Sequence, residues 1–274
     1  NASDIEAYED NAVKEPLIAE TVVLKGSPVK KTAQNEVFGA TEWTLKNGVK
    51  VIVKPSTLKA DEVRLSAKSL GGASLLSDED YFTGQLLPAI AAMSGVSKFS
   101  ATDLRKQLSG KTASVNLSVD DYANGLEGYA SPKDLETMLQ LLYLNFTQPR
   151  FSEDDFNTMV KMYKSYVENM TSNPDYIAQE ELIKTIYNDN PRRQQLSVEL
   201  LDGLQYAHLP AIFQTLYPGA NSFTFTIVGN VDPETIKPLV EKYIGSLPAA
   251  PKRKFAKTDF RIVPGTAEYD AVVP

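Results

Sequence analysis

A single histidine, His208, and no cysteine restrict the chemistry open to this chain of 274 residues. Protein zinc is held by His, Cys, Asp and Glu, and a catalytic zinc nearly always takes at least one His or Cys. One histidine cannot form a histidine pair, and thiol catalysis is excluded. A Ser-His-Asp triad would have to recruit His208. That residue lies in Gln205-Tyr206-Ala207-His208-Leu209-Pro210, at an apolar helix entry, and reads as an ordinary structural histidine. The runs Asp78-Glu79-Asp80 and Glu153-Asp154-Asp155 offer oxygen ligands to a hard cation, but lack the alternating ligands and glycine of a calcium loop. Both precede helical stretches, where negative charge favours the positive end of the helix dipole. Arg192-Arg193 is chemically able to clamp a carboxylate or phosphate, yet reads as a solvated pair. No phosphate loop, dinucleotide fingerprint or serine elbow is present. The residue types therefore predict no catalytic and no metal-ligating residue in this chain, and they leave substrate-binding residues unidentified.

The elements that position these residues follow from periodicity. Residues 1–35 mix charge, proline and short apolar pieces such as Thr21-Val22-Val23-Leu24, and read as a linker with one or two strands. Residues 40–45 and 49–53 flank Asn47-Gly48, a two-residue hairpin signal, because both residues tolerate positive φ. A third strand spans 62–67 and is broken by Gly71-Gly72. A helix then runs to about Met93, with Pro88 expected to kink or split it. Ser100 caps a short helix. Ala113, Val115, Leu117 and Val119 alternate with polar residues, the mark of a half-buried strand, and 122–130 is its partner. Apolar stripes at helical spacing follow Ser131-Pro132 and Ser152, Asn173-Pro174 marks a turn before a helix over about 175–187, and another helix covers 206–216. A strand over 222–228 and a helix opened by Asp232-Pro233-Glu234 close the pattern, with Pro238 expected to bend that helix. The resulting fold class is α+β, an antiparallel-rich sheet with helices packed on one face.

Hydrophobic residues make up 42% and charged residues 23%, the proportions of a globular protein with a sizeable core. A net charge of −7 gives no basic footprint for nucleic acid. No run of eighteen apolar residues is present to span a membrane. Asn1-Ala2 resembles a cloning scar, and both ends suggest a fragment of a longer protein.

Two stretches carry a resemblance. Leu45-Lys46-Asn47-Gly48-Val49-Lys50-Val51-Ile52-Val53-Lys54-Pro55 resembles the opening hairpin of a domain in the pitrilysin/insulinase family of zinc metallopeptidases. Phe225-Thr226-Ile227-Val228-Gly229-Asn230-Val231-Asp232-Pro233-Glu234, running to Tyr243-Ile244-Gly245-Ser246-Leu247-Pro248, resembles its closing strand and helix. The resemblance implies a peptidase-like domain over 36–250, with 251–274 a linker toward a following domain. Active members carry H-x-x-E-H on the helix after the third strand, two histidines binding zinc while the glutamate activates water. The matching positions are Pro88 to Ala92, and the third ligand falls near Ser165-Tyr166. No ligand or general base stands at any of them. Arg193 sits where a late domain of the family supplies an assisting arginine, but Leu200 replaces its companion tyrosine, so that role is not carried over.

The resemblance thus implies a non-catalytic domain in the second half of a bacterial zinc metalloendopeptidase, forming part of a substrate-enclosing chamber. Zinc would lie in the parent's catalytic half. The partners would be the catalytic domain and a peptide or unfolded-protein substrate, in the periplasm or cell envelope. The alternative is a stand-alone binding or assembly subunit beside a separate catalytic chain.

Overall fold

The computed structural model describes residues 15–251, 262 and 264–270. Seven strands form one sheet: β1 (Val29–Asn35), β2 (Ala40–Leu45), β3 (Lys50–Pro55), β4 (Val63–Leu70), β5 (Ala113–Val119), β6 (Ala123–Ala130) and β7 (Thr224–Gly229). Their order is β1-β2-β3-β7-β4-β6-β5. Among the described residues, β3 and β7 pair in parallel and the other neighbours are antiparallel. The helices are α1 (Tyr81–Ser94), α2 (Ala101–Gln107), α3 (Leu135–Thr147), α4 (Glu153–Met170), α5 (Pro174–Tyr187), α6 (Val198–Asp202), α7 (Leu209–Leu216) and α8 (Pro233–Tyr243).

Strand alternation sorts the sheet into two unlike faces. Val51, Val53, Val63, Leu65, Ala67, Leu126, Phe225 and Ile227 are all buried on the helical side. There α3 meets β5 and β6, α1 meets β5, and α8 meets β3 and α3. The opposite face carries Lys50, Arg64, Lys68, Glu127 and Thr224, all exposed. The core is therefore the single layer between sheet and helices.

Local chemistry explains most boundaries. The oxygens of Ser100, Ser152, Asn173 and Asp232 accept backbone N–H bonds at the starts of α2, α4, α5 and α8. Pro88 does not divide α1, and α8 likewise continues through Pro238. Gly72 takes φ +54, and a Cβ there would sit 2.2 Å from the Asp120 carbonyl oxygen. Glycine is thus required where the chain leaving β4 presses on the β5–β6 turn.

Several expectations are corrected. The strand within the stretch 1–35 is Val29–Asn35, not Thr21–Leu24, and it adds an edge to the sheet. The β2–β3 hairpin uses three residues. Leu45 N–H bonds the Val49 carbonyl, Gly48 N–H bonds the Leu45 carbonyl, and Gly48 alone takes positive φ (+87). That is a type I turn followed by a left-handed glycine, a common hairpin closure. Helix α1 starts at Tyr81, because Asp78–Asp80 form a turn before it. Between α5 and α7 the chain forms a further short helix, α6. Of the linker expected over 251–274, residues 252–261, 263 and 271–274 lie outside the described residues, as do residues 1–14 of the first linker.

Candidate functional site

Helix α1 holds the positions where an inverted zinc motif would stand. Pro88 and Ala89 are partly buried there, Ile90 is fully buried, and Ala92 is exposed. Ser165 and Tyr166 lie exposed on α4, which packs on α1. Ring carbons, methyl groups, a hydroxyl and a phenol make no imidazole–carboxylate ligand set, so these residues do not fit zinc. Among the described residues, no three His, Cys, Asp or Glu side chains group as ligands for a metal ion. Glu153, Asp154 and Asp155 occupy the first turn of α4, where the helix dipole favours them.

Polar chemistry concentrates instead at the other end of α1. Asp121, in the β5–β6 turn, accepts hydrogen bonds from the Tyr81 hydroxyl, from Gln85 Nε2 at 3.0 Å and from Arg193 Nη2 at 2.5 Å. The Arg192 Nε donates to Asp78 at 2.5 Å and its Nη2 to the Leu76 carbonyl at 2.8 Å. The Arg192 guanidinium also lies 5.1 Å from the Tyr81 ring centre, within cation–π range. The arginine side chains retain only 14% and 23% exposure, so the expected solvated pair is corrected. The loop after α5 folds back across the start of α1, a contact between residues over seventy positions apart that local sequence does not encode. Burial, then the hydrogen bond to Asp121, pushes the Tyr81 phenol well above its ordinary pKa, so it remains a donor.

Asp121 is the residue that motif reading missed. It follows Asp120 between two strands, where turn composition explains it without any further role. The only available signal was a second carboxylate in so short a connection.

His208 pairs with Asp80, Nδ1 to Oδ1 at 2.7 Å, and thereby ties the entry of α7 to the start of α1. The Asp80 hydrogen bond raises its pKa above the usual 6.5. A group with a raised folded pKa contributes stability below its unfolded pKa, and that contribution is lost as pH rises through the folded value. The wild type is therefore expected to lose a small increment of stability relative to His208→Gln between about pH 6 and 8. Urea midpoints for both proteins at the two pH values measure it; parallel pH profiles would remove the linkage.

Strand β5 is one edge of the sheet, next to α1. Ser131 N–H bonds Thr112 and Asp120 N–H bonds Ala123, which fixes the phase of the ladder. By antiparallel alternation, the N–H and C=O of Val115 and Leu117 point away from β6. Edge β1 differs, because exposed Lys30 and Lys31 oppose pairing with another strand.

The comparisons agree with this architecture. Residues 204–271, which include β7 and α8, match the family described as the peptidase M16 inactive domain. A zinc protease PQQL-like protein of Arabidopsis thaliana is 25% identical over 267 residues, covering 96% of this chain and 25% of that protein. The fold is shared with the periplasmic protease PqqL from Escherichia coli, at TM-score 0.77 and 19% identity over 95% of this chain and 28% of that one. It is shared also with pitrilysin, at TM-score 0.62 and 14% identity over 89% of this chain and 26% of that one. Together these likenesses support a pitrilysin-family M16 domain of the inactive type. It spans about a quarter of the length of the curated relatives it matches. In this chain the two stretches that carry the family resemblance touch. Strand β3 pairs with β7, and Asn47 Nδ2 lies 3.4 Å and 3.3 Å from the Ile244 and Gly245 carbonyls.

Proposed function

We propose that this M16 domain is a structural wall of a larger zinc peptidase, enclosing polypeptide substrate without performing the cleavage. The observation that carries this reading is the pairing of a sheet with one face uncovered by the described residues with a helix α1 that has Pro88 and Ala92 at the ligand positions and Ala91 at the general-base position. Zinc and the water it activates would belong to another domain of the parent. The M16 relatives are about four times longer than this chain, which favours a catalytic domain in the same polypeptide over a separate subunit. The backbone groups of Val115 and Leu117 that point away from β6 suit strand addition by an extended peptide, with register set by side-chain contacts. A periplasmic location is part of the proposal, by likeness to the Escherichia coli protease. No helix among the described residues is long and apolar enough to cross a membrane.

The test is zinc-dependent proteolysis by the full-length parent with and without residues 36–250. Loss of peptide cleavage on removal, with zinc content kept, is the expected result. Stoichiometric zinc and EDTA-sensitive cleavage in the 274-residue chain itself would overturn the reading.

A further inference from the structure

Strand register gathers the open face of the sheet into rows that run across the strands. One row reads Lys31, Thr44, Lys50, Thr224, Lys68, Gly125, Ser118. The next reads Ala33, Glu42, Ile52, Thr226, Ser66, Glu127, Asn116, and a third contains Lys54, Val228, Arg64 and Tyr129. These rows hold five cations, Lys31, Lys50, Lys54, Arg64 and Lys68, against Glu42 and Glu127. The excess of three positive charges stands out on a chain whose net charge is −7.

The positive charge is only partly answered within the domain. Arg64 pairs with Glu62 at 2.7 Å, and Lys68 lies 3.6 Å from Glu127, both exposed pairs. Such pairs are weak and exchangeable. Lys54 donates to the Phe38 carbonyl and forms no ion pair with a described carboxylate. No ion pair with a described carboxylate involves Lys31 or Lys50.

Spacing adds a second constraint. Adjacent strands lie about 4.8 Å apart, and one strand intervenes between each successive pair of lysines in the first row, so Lys31, Lys50 and Lys68 recur about every 10 Å. An unfolded chain in polyproline II geometry rises about 3.1 Å per residue with three residues per turn, so every third side chain returns to one side after about 9.3 Å. The hydroxyls of Thr44 and Thr224 lie between the lysines, where peptide amides would pass. Glu42 and Glu127 in the neighbouring row repel a continuous polyphosphate more than a chain with separated carboxylates, which favours polypeptide over nucleic acid.

We propose that this lysine row is a cradle for acidic stretches of unfolded polypeptide, crossing the strands with Asp or Glu at every third position. The proposal rests on the chamber-wall reading and names the substrate class of that wall.

The test uses the 274-residue chain and fluorescein-labelled peptides of about twelve residues that repeat Glu-Pro-Pro, Gln-Pro-Pro or Lys-Pro-Pro. Fluorescence anisotropy should show binding of the Glu repeat alone, falling as salt rises. K31E/K50E/K68E should weaken it at least about tenfold. K133E/K161E/K237E makes the same charge change on helical elements and should leave it near wild type. These six lysines are exposed or partly exposed, and thermal melts check that each variant folds. Unchanged binding in the first variant, equal loss in the second, no binding of the Glu repeat, or equal displacement by single-stranded DNA of matched charge would each overturn the cradle. The wall reading fails separately, through undiminished proteolysis by a parent that lacks this segment.

Discussion

Tyr217→Ala is expected to lower the unfolding free energy by about 4 kcal/mol, at the upper end of single-residue effects. Tyr217 is only 2% exposed and lies at the centre of an aromatic cluster. Its ring stacks on Phe213 at 4.8 Å and Phe223 at 5.8 Å, and meets Phe146 edge-on at 6.2 Å. Three aromatic neighbours supplied by α7, α3 and the residue before β7 cannot all close on the space an alanine leaves. The hydroxyl donates to the Ser118 and Gly125 carbonyls, at 2.8 Å and 2.9 Å, and so joins the cluster to β5 and β6. Burial pushes its pKa far above the ordinary range, which keeps the proton available for those bonds. Tyr217→Phe keeps the ring and loses only the hydroxyl, for about 1–2 kcal/mol. Urea denaturation of both variants measures the two parts. A loss below about 1.5 kcal/mol for Tyr217→Ala would show that the cluster repacks, contrary to this account.

Asp121→Ala is expected to cost about 2–3 kcal/mol and to loosen one region more than the rest. The substitution removes a shared acceptor from Arg193, Tyr81 and Gln85 at once. Asp121 keeps about a quarter of its side-chain exposure, so water screens part of the loss and the figure stays below that of a fully buried pair. The effect should appear in amide hydrogen exchange as faster exchange in the first turns of α1 and in residues 190–197, while β3 and β7 stay protected. Combining Asp121→Ala with Arg193→Met should cost less than the sum of the single changes, because the two side chains share one ion pair that either change removes. Additive losses, or uniform exchange across the domain, would show that Asp121 is not the hub of this corner.

Much of the fold was legible because local rules and tertiary packing agree. The alternation over Ala113–Val119 marks a strand with one buried face, and that strand forms with Val115 and Leu117 buried. Ser100, Ser152, Asn173 and Asp232 cap the helices they precede. The two stretches that resemble the M16 family meet as the parallel β3–β7 pair, so a likeness between distant segments reflected one piece of structure. Strand β1 was harder to find, because a sheet edge exposed along most of its length has no buried face to impose alternation.

The side-chain network around α1 was not legible. Arg192 and Arg193 look like a solvated pair in any local window, and Asp121 looks like a turn residue. They become partners because the sheet brings the β5–β6 turn beside α1 while the α5–α6 connection crosses both.

Composition and motif positions by themselves determined that this chain places no histidine, cysteine or carboxylate at the positions Pro88 to Ala92, and that its helices and strands alternate as an α+β layer. Those are properties of residue type and short-range period, which the linear chain carries directly. Only the tertiary structure decided which charges meet. It set Arg193 on Asp121 and His208 on Asp80, and it aligned Lys31, Lys50 and Lys68 in one row. Such contacts depend on strand register and loop return across 37 to 128 positions, measured from Lys31 to Lys68 and from Asp80 to His208. Neither register nor return is fixed by any segment alone, because each is set by how the whole apolar face is buried.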